Sequence, residues 1–508
     1  MKIVAYQPEL SPALPVVVGN VDYAEFKGML ERIDEILVRS GIEADFVSRR
    51  LEQHELESAE HAREQKKPRR VLSDKERANI QKHAVMALRC NIARELTGDS
   101  TRGFSKRLAD SPLLQWFCRI DRIDVIRVPG KSTLDRYEKL VPEEVVRQIV
   151  DILNATGAAT IEDEQQALGL KKALDVEACF MDTTCVKANI HFPVDWVLLR
   201  DAVRTLIKAV MVIRKRGLKN RMDAPLDFIK GINRLCIEMT HARRRTDSRK
   251  TRKRVLRLMK KLMKKIDYHA QRHRDLLEKE REKTDLSEGQ ACQIIERIDR
   301  IRQQLPDAIR QAHERIIGGR LVENKDKILS LYEPDVHVIV RGKAGEEVEF
   351  GNTLLLAEQK EGVIVDWKLI HDQAPADSKM VSESLARFEK VFDGKLPGAV
   401  AGDRGFDSQA NRKQIEKAEI YNAICPRSAT KLRERMKEER FVNLQKRRAQ
   451  TEPRIAIFKN GFLGRPMRSK GFLNRENHVA WAVLAHNLWV IARLPVAEEN
   501  EQTLDNAA

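Results

Sequence analysis

The chain has 508 residues and a formal net charge of +17, and charged residues make up 33% of it. A chain of this length is too long for one ordinary core, so two or three domains are expected. The basic balance favours a polyanionic partner, with nucleic acid ahead of an anionic membrane surface. Charge alone leaves open the alternative of a basic protein that is merely soluble.

Two classes of protein are disfavoured by the sequence. No stretch approaches the ~20 apolar residues that span a bilayer, and the N-terminus lacks the apolar region of a signal peptide. The seven cysteines are scattered and form no Cys-x-x-Cys pair, which indicates reduced thiols rather than disulfides or a zinc site. We therefore expect a cytoplasmic protein with no membrane partner.

The first 170 residues are predicted to be helical. Residues 1–70 form an N-terminal helical arm, in which apolar residues repeat at three and four positions from about Tyr23 to Glu64. Residues 71–170 form a helical DNA-binding domain, whose late helix presents Lys131 and Arg136 after a turn, as in helix-turn-helix proteins. A plain helical bundle would give the same pattern. The predicted helices of this domain lie at about 75–97, 101–109, 111–118, 131–139 and 142–155.

A buried strand within residues 171–195 is followed by a basic helical insertion, residues 196–330. A run of more than a dozen cations leads into its third predicted helix and includes Arg252, Lys253 and Arg254. A charge run is usually a solvated face, but so many cations with few nearby acids favour phosphate binding. Because aromatic residues are scarce here, stacking on single-stranded bases is not supported.

Residues 331–495 alternate between predicted strands and helices, and a disordered tail is predicted at 496–508. With residues 171–195 they are expected to form one α/β domain that the helical insertion interrupts. The predicted strands lie at 336–340, 347–350, 353–357, 363–370, 398–401 and 420–424. The predicted helices lie at about 378–392, 408–418, 448–459 and 475–493.

Three acids stand at related places in this domain. Asp182 ends the first strand, Asp403 directly follows strand 398–401, and Glu452 lies on helix 448–459. Ligand sites in α/β sheets lie at the carboxyl ends of strands, so these acids are expected to meet. Clustered carboxylates repel one another unless a cation is bound, and oxygen ligands suit Mg²⁺ or Mn²⁺. Glu476, at the start of the last helix, is the competing third acid.

Two such ions, ~3.5–4 Å apart, would activate a water or a 3′-hydroxyl and stabilise the leaving oxygen in phosphodiester attack. On one continuous helix, Arg448, Glu452 and Lys459 share a face, so the cations would grip phosphate beside the carboxylate. Pro453 removes a helical hydrogen bond, so the helix could instead begin or kink near Glu452. A helix that begins there would take Arg448 off the shared face.

These motifs resemble those of DDE transposases from bacterial insertion sequences, which have a ribonuclease-H-like catalytic core. Asp182-Thr-Thr is similar to the first-acid motif, and Gly402-Asp-Arg-Gly-Phe406 is similar to the second. Arg448-x3-Glu452-x6-Lys459 fits the branch that carries a Tyr-x2-Arg-x3-Glu-x6-Lys signature, with Gln445 at the tyrosine position. The resemblance implies an α/β fold: a ribonuclease-H-like mixed sheet, interrupted by the helical insertion and preceded by an all-helical N-terminal domain.

The resemblance also implies a function. The protein would bind element ends, cleave DNA with metal-activated water and join the 3′-hydroxyl end to target DNA. Its partner would be double-stranded DNA, on which it would act as a homo-oligomer, nucleoid-associated in the bacterial cytoplasm. Asp182, Asp403 and Glu452 would be the catalytic residues and would hold two Mg²⁺ or Mn²⁺ ions. The expected DNA contacts are Arg448, Lys459, Arg404, Lys131, Arg136, Arg252, Lys253 and Arg254.

Two alternatives remain open from the sequence. One is a non-catalytic, domesticated DNA-binding protein on a nuclease-like scaffold, although the presence of all three acids argues against it. The other is a metal-dependent nuclease that cuts DNA without strand transfer.

Overall fold

The computed structural model divides the chain into two compact units. Unit 1 contains Met1–Val186 and Thr353–Ala508, and unit 2 contains Lys187–Asn352. The end of the predicted arm, residues 65–70, and nearly all of the predicted tail lie outside the described residues. Within the described part, no helix is long and apolar enough to cross a membrane. The structure describes residues 13–64, 71–122, 125–160, 166–242, 248–343 and 346–497.

Among the described residues, seven helices of unit 1 precede the first strand, and α3 to α7 lie within a few residues of the predicted helices. The predicted helical arm from Tyr23 to Glu64 consists of two helices, because Gly41 adopts a left-handed φ of 70° between them. Ser73 and Glu76 form a capping box at the start of the third helix. The helices are α1 (Val21–Arg39), α2 (Ile42–Glu64), α3 (Asp74–Thr97), α4 (Thr101–Asp110), α5 (Pro112–Phe117), α6 (Lys131–Glu138) and α7 (Glu143–Ala158).

The remaining elements alternate as expected, and they add two helices that the sequence did not predict. The strands are β1 (Ala178–Lys187), β2 (His337–Lys343), β3 (Glu346–Glu358), β4 (Ile364–Leu369), β5 (Ala399–Gly402) and β6 (Tyr421–Ile424). The helices are α8 (Asp195–Lys215), α9 (Pro225–Ala242), α10 (Ser248–Glu280), α11 (Glu288–His313), α12 (Val381–Val391), α13 (Gln409–Lys417), α14 (Ala429–Arg435), α15 (Glu439–Ala449), α16 (Thr451–Ile457) and α17 (Phe472–Ile491). The two unpredicted helices are α14 and α15.

The N-terminal helices of unit 1 share one hydrophobic core with its sheet and with the last helix, α17. Trp481 on α17 is buried beside Phe46 of α2, with ring centroids 6.0 Å apart. Asn487 of α17 accepts a hydrogen bond from the backbone N–H of Ile364 and donates one to its carbonyl, at 2.9 and 2.7 Å. Asn154 of α7 donates to the same carbonyl at 3.0 Å. These bonds hold β4 against both helices.

The sheet of unit 1 is mixed. Its strands run in the order β3-β1-β5-β6, and β4 pairs with β3 in antiparallel fashion. β1 pairs parallel to β5 from Ala178↔Ala399 to Phe180↔Ala401, and β5 pairs parallel to β6. The predicted strand end at Asp182 is wrong, because β1 continues to Lys187. The pairing of β1 with β5 nevertheless stops two residues before Asp182.

Unit 2 contains a four-helix bundle, α8 to α11, and a short hairpin. α10 lies against each of the other three helices, and its buried side includes Val255, Met259 and Ile266. β2 pairs antiparallel with the first half of β3, from His337↔Gly351 onward. The two strands predicted at 347–350 and 353–357 are thus one strand, β3, which continues from unit 2 into unit 1.

The continuous helix predicted over 448–459 is wrong, and the alternative that a helix begins near Glu452 is confirmed. Helix α15 ends at Ala449, α16 begins at Thr451, and a π-helical turn, Phe458–Leu463, follows. Pro453 falls in the first turn of α16, where a backbone N–H has no helical partner and its loss costs little. Arg448, Glu452 and Lys459 therefore occupy three successive elements and do not share a single helical face.

Candidate active site

Asp182 and Asp403 occupy matching positions on two neighbouring parallel strands. Each lies two residues beyond the paired residues Phe180 and Ala401. Neighbouring strands are about 4.8 Å apart, so this register brings the two aspartates to one edge of the sheet. Both side chains are half-buried, and each carboxylate is held by a nearby backbone N–H. Thr183 donates to Asp182 Oδ1 at 2.8 Å, and Gly405 donates to Asp403 Oδ1 at 2.7 Å.

The third predicted acid, Glu452, lies close enough to Asp182 for its charge to raise the pKa of Asp182. The pKa of Asp182 is raised to about 6, mainly by burial and also by the negative charges of Asp403 and Glu452. The Thr183 N–H and the Arg448 guanidinium oppose this rise in pKa. Asp182, Asp403, Glu452 and Arg448 therefore lie within one electrostatic neighbourhood, although Arg448 and Glu452 stand on different helices.

In this structure the three predicted ligands are not arranged around a common point that could hold a metal ion. Across the described ranges, no group of three or more His, Cys, Asp or Glu side chains is placed to hold a metal ion. The chemistry of the acids still fits a divalent cation, because the donors are all oxygen and the charges of Asp403 and Glu452 both act against ionisation of Asp182. Asp182, Asp403 and Glu452 are therefore retained as the candidate ligands.

The structure adds a fourth carboxylate that sequence reasoning missed. Asp377 begins the 3₁₀ turn before α12, and Thr183 Oγ1 donates to its Oδ1 at 3.2 Å. Burial raises the pKa of Asp377, and the charge of Asp403 acts in the same direction. A Cβ at Gly405 would lie 2.5 Å from Asp377 Oδ2 and 2.9 Å from Asp403 Oδ1. Gly405 thus permits the close approach of the two acids, whereas in the sequence Asp377 looks like an ordinary acid before a helix.

Lys459 is buried at the site and contacts the first motif. Its side chain is 6% exposed, and its Nζ donates to Thr184 Oγ1 at 3.0 Å. An ammonium group this deeply buried is retained only with partners, which supports a fixed position beside β1. Lys459 is therefore placed beside the first-acid motif by a buried hydrogen bond rather than by a shared helical face.

Gln445, at the position of the signature tyrosine, connects α15 to the sheet. Its Nε2 donates to the carbonyls of Gly402 and Ala423 at 3.3 and 2.5 Å, at the ends of β5 and β6. Its Oε1 accepts from Arg448 Nε at 3.1 Å. Gln445 consequently positions Arg448 relative to the strand end that precedes Asp403.

Hydrogen bonds fix the backbone of the loop that carries Arg404, and the Arg404 side chain is exposed. Arg427 donates to the carbonyls of Arg404 and Gly405 at 3.1 and 3.2 Å. Asp407 pairs with Arg412 at 2.6 Å and accepts from the Arg427 N–H at 2.9 Å. The backbone next to Asp403 is thus fixed, while the Arg404 guanidinium can reach a ligand.

The other predicted DNA contacts lie elsewhere. In unit 1, Lys131 pairs with Asp135 at 2.5 Å and lines a cavity of about 470 Å³, and Arg136 is exposed on the same helix. In unit 2, Arg252 lies over the Trp196 ring, 6.0 Å from its centroid. Lys253 is half-buried, and Arg254 is exposed but pairs with Glu238.

Glu476 is placed away from the groups that act on Asp182. Burial raises the pKa of Glu476, and Glu143 and Glu144, at the start of α7, raise it further. The charges that act on Asp182 include Glu452 and do not include Glu476. The structure therefore favours Glu452 over Glu476 as the third acid.

One comparison with known proteins gave a match, which is to a protein family. Residues 352–488 match the family model of the transposase DDE domain. The matched segment contains Asp403, Glu452 and Glu476, and it begins after Asp182. The chain matches no curated protein and no solved structure. The domain match supports a DDE transposase, an enzyme of transposition and DNA recombination, and such enzymes generally depend on a divalent metal.

Proposed function

We propose that this chain, with its transposase DDE domain at residues 352–488, is the transposase of a bacterial insertion sequence. It binds the ends of its element, cuts a DNA strand and joins the 3′-hydroxyl to target DNA as a homo-oligomer. One observation carries the proposal: Asp182 and Asp403 stand at matching positions on paired parallel strands, and the charge of Glu452 reaches Asp182. The domain match alone does not include Asp182.

The topology supports a ribonuclease-H-like core for unit 1. An antiparallel edge, β3 and β4, is joined in one sheet to the parallel strands β1, β5 and β6. The carboxyl ends of parallel strands are where α/β sheets hold their ligands. In this core, β1 and β5 are the central pair that carries the first two acids.

The residues have distinct roles in the proposed reaction. Asp182, Asp403 and Glu452 would hold Mg²⁺ or Mn²⁺, which when bound supplies charge that favours ionisation of the attacking hydroxyl and stabilises the leaving oxygen. The N–H groups of Thr183 and Gly405 fix the orientation of the two aspartates. The exposed Arg404 side chain is placed to bind a DNA phosphate beside Asp403.

The cations around the site favour a phosphodiester over a neutral substrate. Arg448 acts on Asp182, and Lys459 is fixed beside β1 by Thr184. The guanidinium groups of Arg448 and of exposed Arg404 can bind phosphate oxygens through charge-assisted hydrogen bonds, which align a strand for in-line attack. Lys459 is buried, so it contributes positive charge rather than a direct phosphate contact. This positioning serves cleavage and strand joining equally, so the assay must separate the two steps.

The experiment supplies the purified chain with Mg²⁺ and duplex DNA that carries the sequences flanking its coding region. Transposition predicts nicks at the element ends and joined products on a second, unlabelled duplex. Cuts without joined products would instead identify a metal-dependent nuclease. Complete absence of Mg²⁺-dependent cutting would contradict the proposal and favour a non-catalytic DNA-binding protein.

Two matched glutamate variants identify the third acid in the same assay. Glu452→Gln is expected to lower the cleavage rate by about 100-fold or more, because it removes one charged ligand. Glu476→Gln, an equal change on α17, is expected to leave the rate within a few-fold of the unmodified protein. The opposite result would assign the third position to Glu476.

A further inference from the structure

The exposed side of α10 in unit 2 carries a straight line of cations. Lys250, Arg254, Arg257, Lys261 and Lys264, here called the basic stripe, are all exposed. They follow one another at spacings of four, three, four and three residues, which keeps them on a single helical face. At about 1.5 Å per residue the stripe is ~21 Å long.

The opposite side of the same helix is already occupied. Val255, Met259, Met263 and Ile266 are buried in the bundle core against the neighbouring helices. A helix that binds a membrane surface needs a free apolar face to enter the lipid. α10 therefore lacks the free apolar face that membrane binding needs, and its exposed side is almost purely cationic in this half.

The charges of the basic stripe destabilise the helix that carries them. No acid occurs on α10 before Asp267, and cations spaced three or four residues apart repel one another. Positive charge is also unfavourable at the N-terminal end of a helix, where the macrodipole is positive. Local features that work against the fold are expected at functional sites.

Neighbouring elements neutralise little of this charge. Arg254 pairs with Glu238 of α9. Within the described ranges, which leave out residues 243–247, the other four cations of the stripe form no ion pair. The second half of the exposed face is different, because Asp275 and Glu278 appear there between cations. The positive field is thus confined to the first half of α10.

We propose that the basic stripe binds the phosphate backbone of duplex DNA lengthwise and without regard to sequence. Its length covers about six base pairs at ~3.4 Å each. Proteins that bind single strands stack the bases on aromatic side chains. The aromatic residue on this face is Tyr268, and Arg272 already lies over its ring, 5.5 Å from the centroid. Duplex DNA is therefore favoured over single strands. The choice of DNA among possible polyanions rests on the proposed function, whereas the binding of a polyanion rests on the stripe itself.

Two of the predicted phosphate contacts on α10 are less accessible than the residues of the basic stripe. Arg252 and Lys253 are half-buried, and Arg252 lies over Trp196. Of the three contacts predicted by name, only Arg254 belongs to the basic stripe. The other four residues of the stripe belong to the predicted cation run, and their side chains are exposed.

The test compares two triple variants of the full chain. The stripe variant is Arg257→Gln with Lys261→Gln and Lys264→Gln. The control is Arg272→Gln with Lys279→Gln and Lys283→Gln, which removes the same charge from exposed or nearly exposed positions beyond the stripe. Fluorescence anisotropy measures binding to a 30-base-pair duplex of arbitrary sequence between 50 and 200 mM KCl, without divalent metal. These are about the salt limits over which phosphate contacts are counted.

The stripe variant is expected to lower the slope of log K against log salt by about 2–3, since each lost phosphate contact removes ~0.9. The control is expected to change the slope by less than about 1. Equal losses in both variants would overturn the inference in favour of net charge alone. Unchanged DNA binding with lost binding to phosphatidylserine vesicles would overturn it in favour of a membrane surface.

Two features of this test distinguish a failure of the stripe proposal from a failure of the proposed transposase activity. Binding is measured without Mg²⁺, so a chain that fails to cut DNA can still show the stripe-dependent slope. Thermal unfolding checks that the stripe variant is folded, and its midpoint should equal or exceed that of the unmodified chain because like charges were removed. A lower midpoint would contradict the repulsion on which the inference rests.

Discussion

Asparagine at position 182 or 403 is expected to abolish Mg²⁺-dependent DNA cleavage, with a loss of about 1,000-fold or more. Each change keeps the size of the side chain and removes one of the two negative charges that lie just beyond the paired part of β1 and β5. Because Asp182 and Asp403 occupy matching positions there, losing either one removes one of the carboxylates that would hold the ions. Single-turnover cleavage of end DNA measures the effect, and an unchanged rate in either variant would refute the site.

Loss of folding does not explain this expected loss of activity. The pKa of Asp182 is raised to about 6, so between about pH 4 and pH 6 the folded chain binds a proton more readily than the unfolded chain. The stability of the metal-free protein therefore falls as pH rises through this window. Asp182→Asn avoids that loss and should be more stable than the unmodified chain at pH 8, on the order of 1 to 2 kcal/mol after solvent screening. The two proteins should have nearly equal stability at pH 4.

The second large effect concerns the stability of unit 1. Asp366→Ala is expected to lower the free energy of unfolding by about 3–5 kcal/mol, because it removes the buried carboxylate that partly buried Arg387 and buried Ser384 both contact. Asp366 is 1% exposed and accepts two hydrogen bonds from Arg387, at 2.5 and 2.7 Å, and one from Ser384 at 2.6 Å. Arg147 lies 3.6 Å away and stacks on the Trp367 ring. Urea unfolding followed by tryptophan fluorescence measures the change.

Asp372→Ala is the matched control for this stability prediction. Asp372 lies in the loop after β4, and its side chain is 91% exposed. An exposed carboxylate that pairs with a single histidine contributes little, so a change within about 0.5 kcal/mol is expected. Equal destabilisation by both variants would show that the network around Asp366 does not support the fold as the contacts indicate.

The sequence predicted element types well where hydrophobic periodicity was strong. The helices α3 to α7, α12 and α13 and the strands β2, β4, β5 and β6 lie within a few residues of the expected ranges, because each buries one regular apolar face. The expectation of a continuous helix over 448–459 failed where a single residue changes the backbone. The break at Gln450 separates Arg448 from Glu452.

The candidate site was only partly predictable for a related reason. Asp403 follows from strand order, since an acid directly after a buried strand is visible in the sequence. Asp182 was expected to end its strand, whereas β1 continues to Lys187 and only its pairing with β5 stops before Asp182. The contributions of Asp377, Gln445 and Lys459 depend on loop paths and on hydrogen bonds between residues far apart in the chain. No local pattern encodes such contacts, so they required the structure.

The most direct test of the central claim maps the ion without relying on activity. Fe²⁺ takes the place of Mg²⁺, and ascorbate with peroxide then generates hydroxyl radicals that cut the polypeptide near the bound ion. Binding by the proposed acids predicts cuts around residues 182, 403 and 452, with a further cut near Asp377, and their loss in Asp182→Asn. Cuts that avoid residues 182 and 403, or that persist in this variant, would contradict the account.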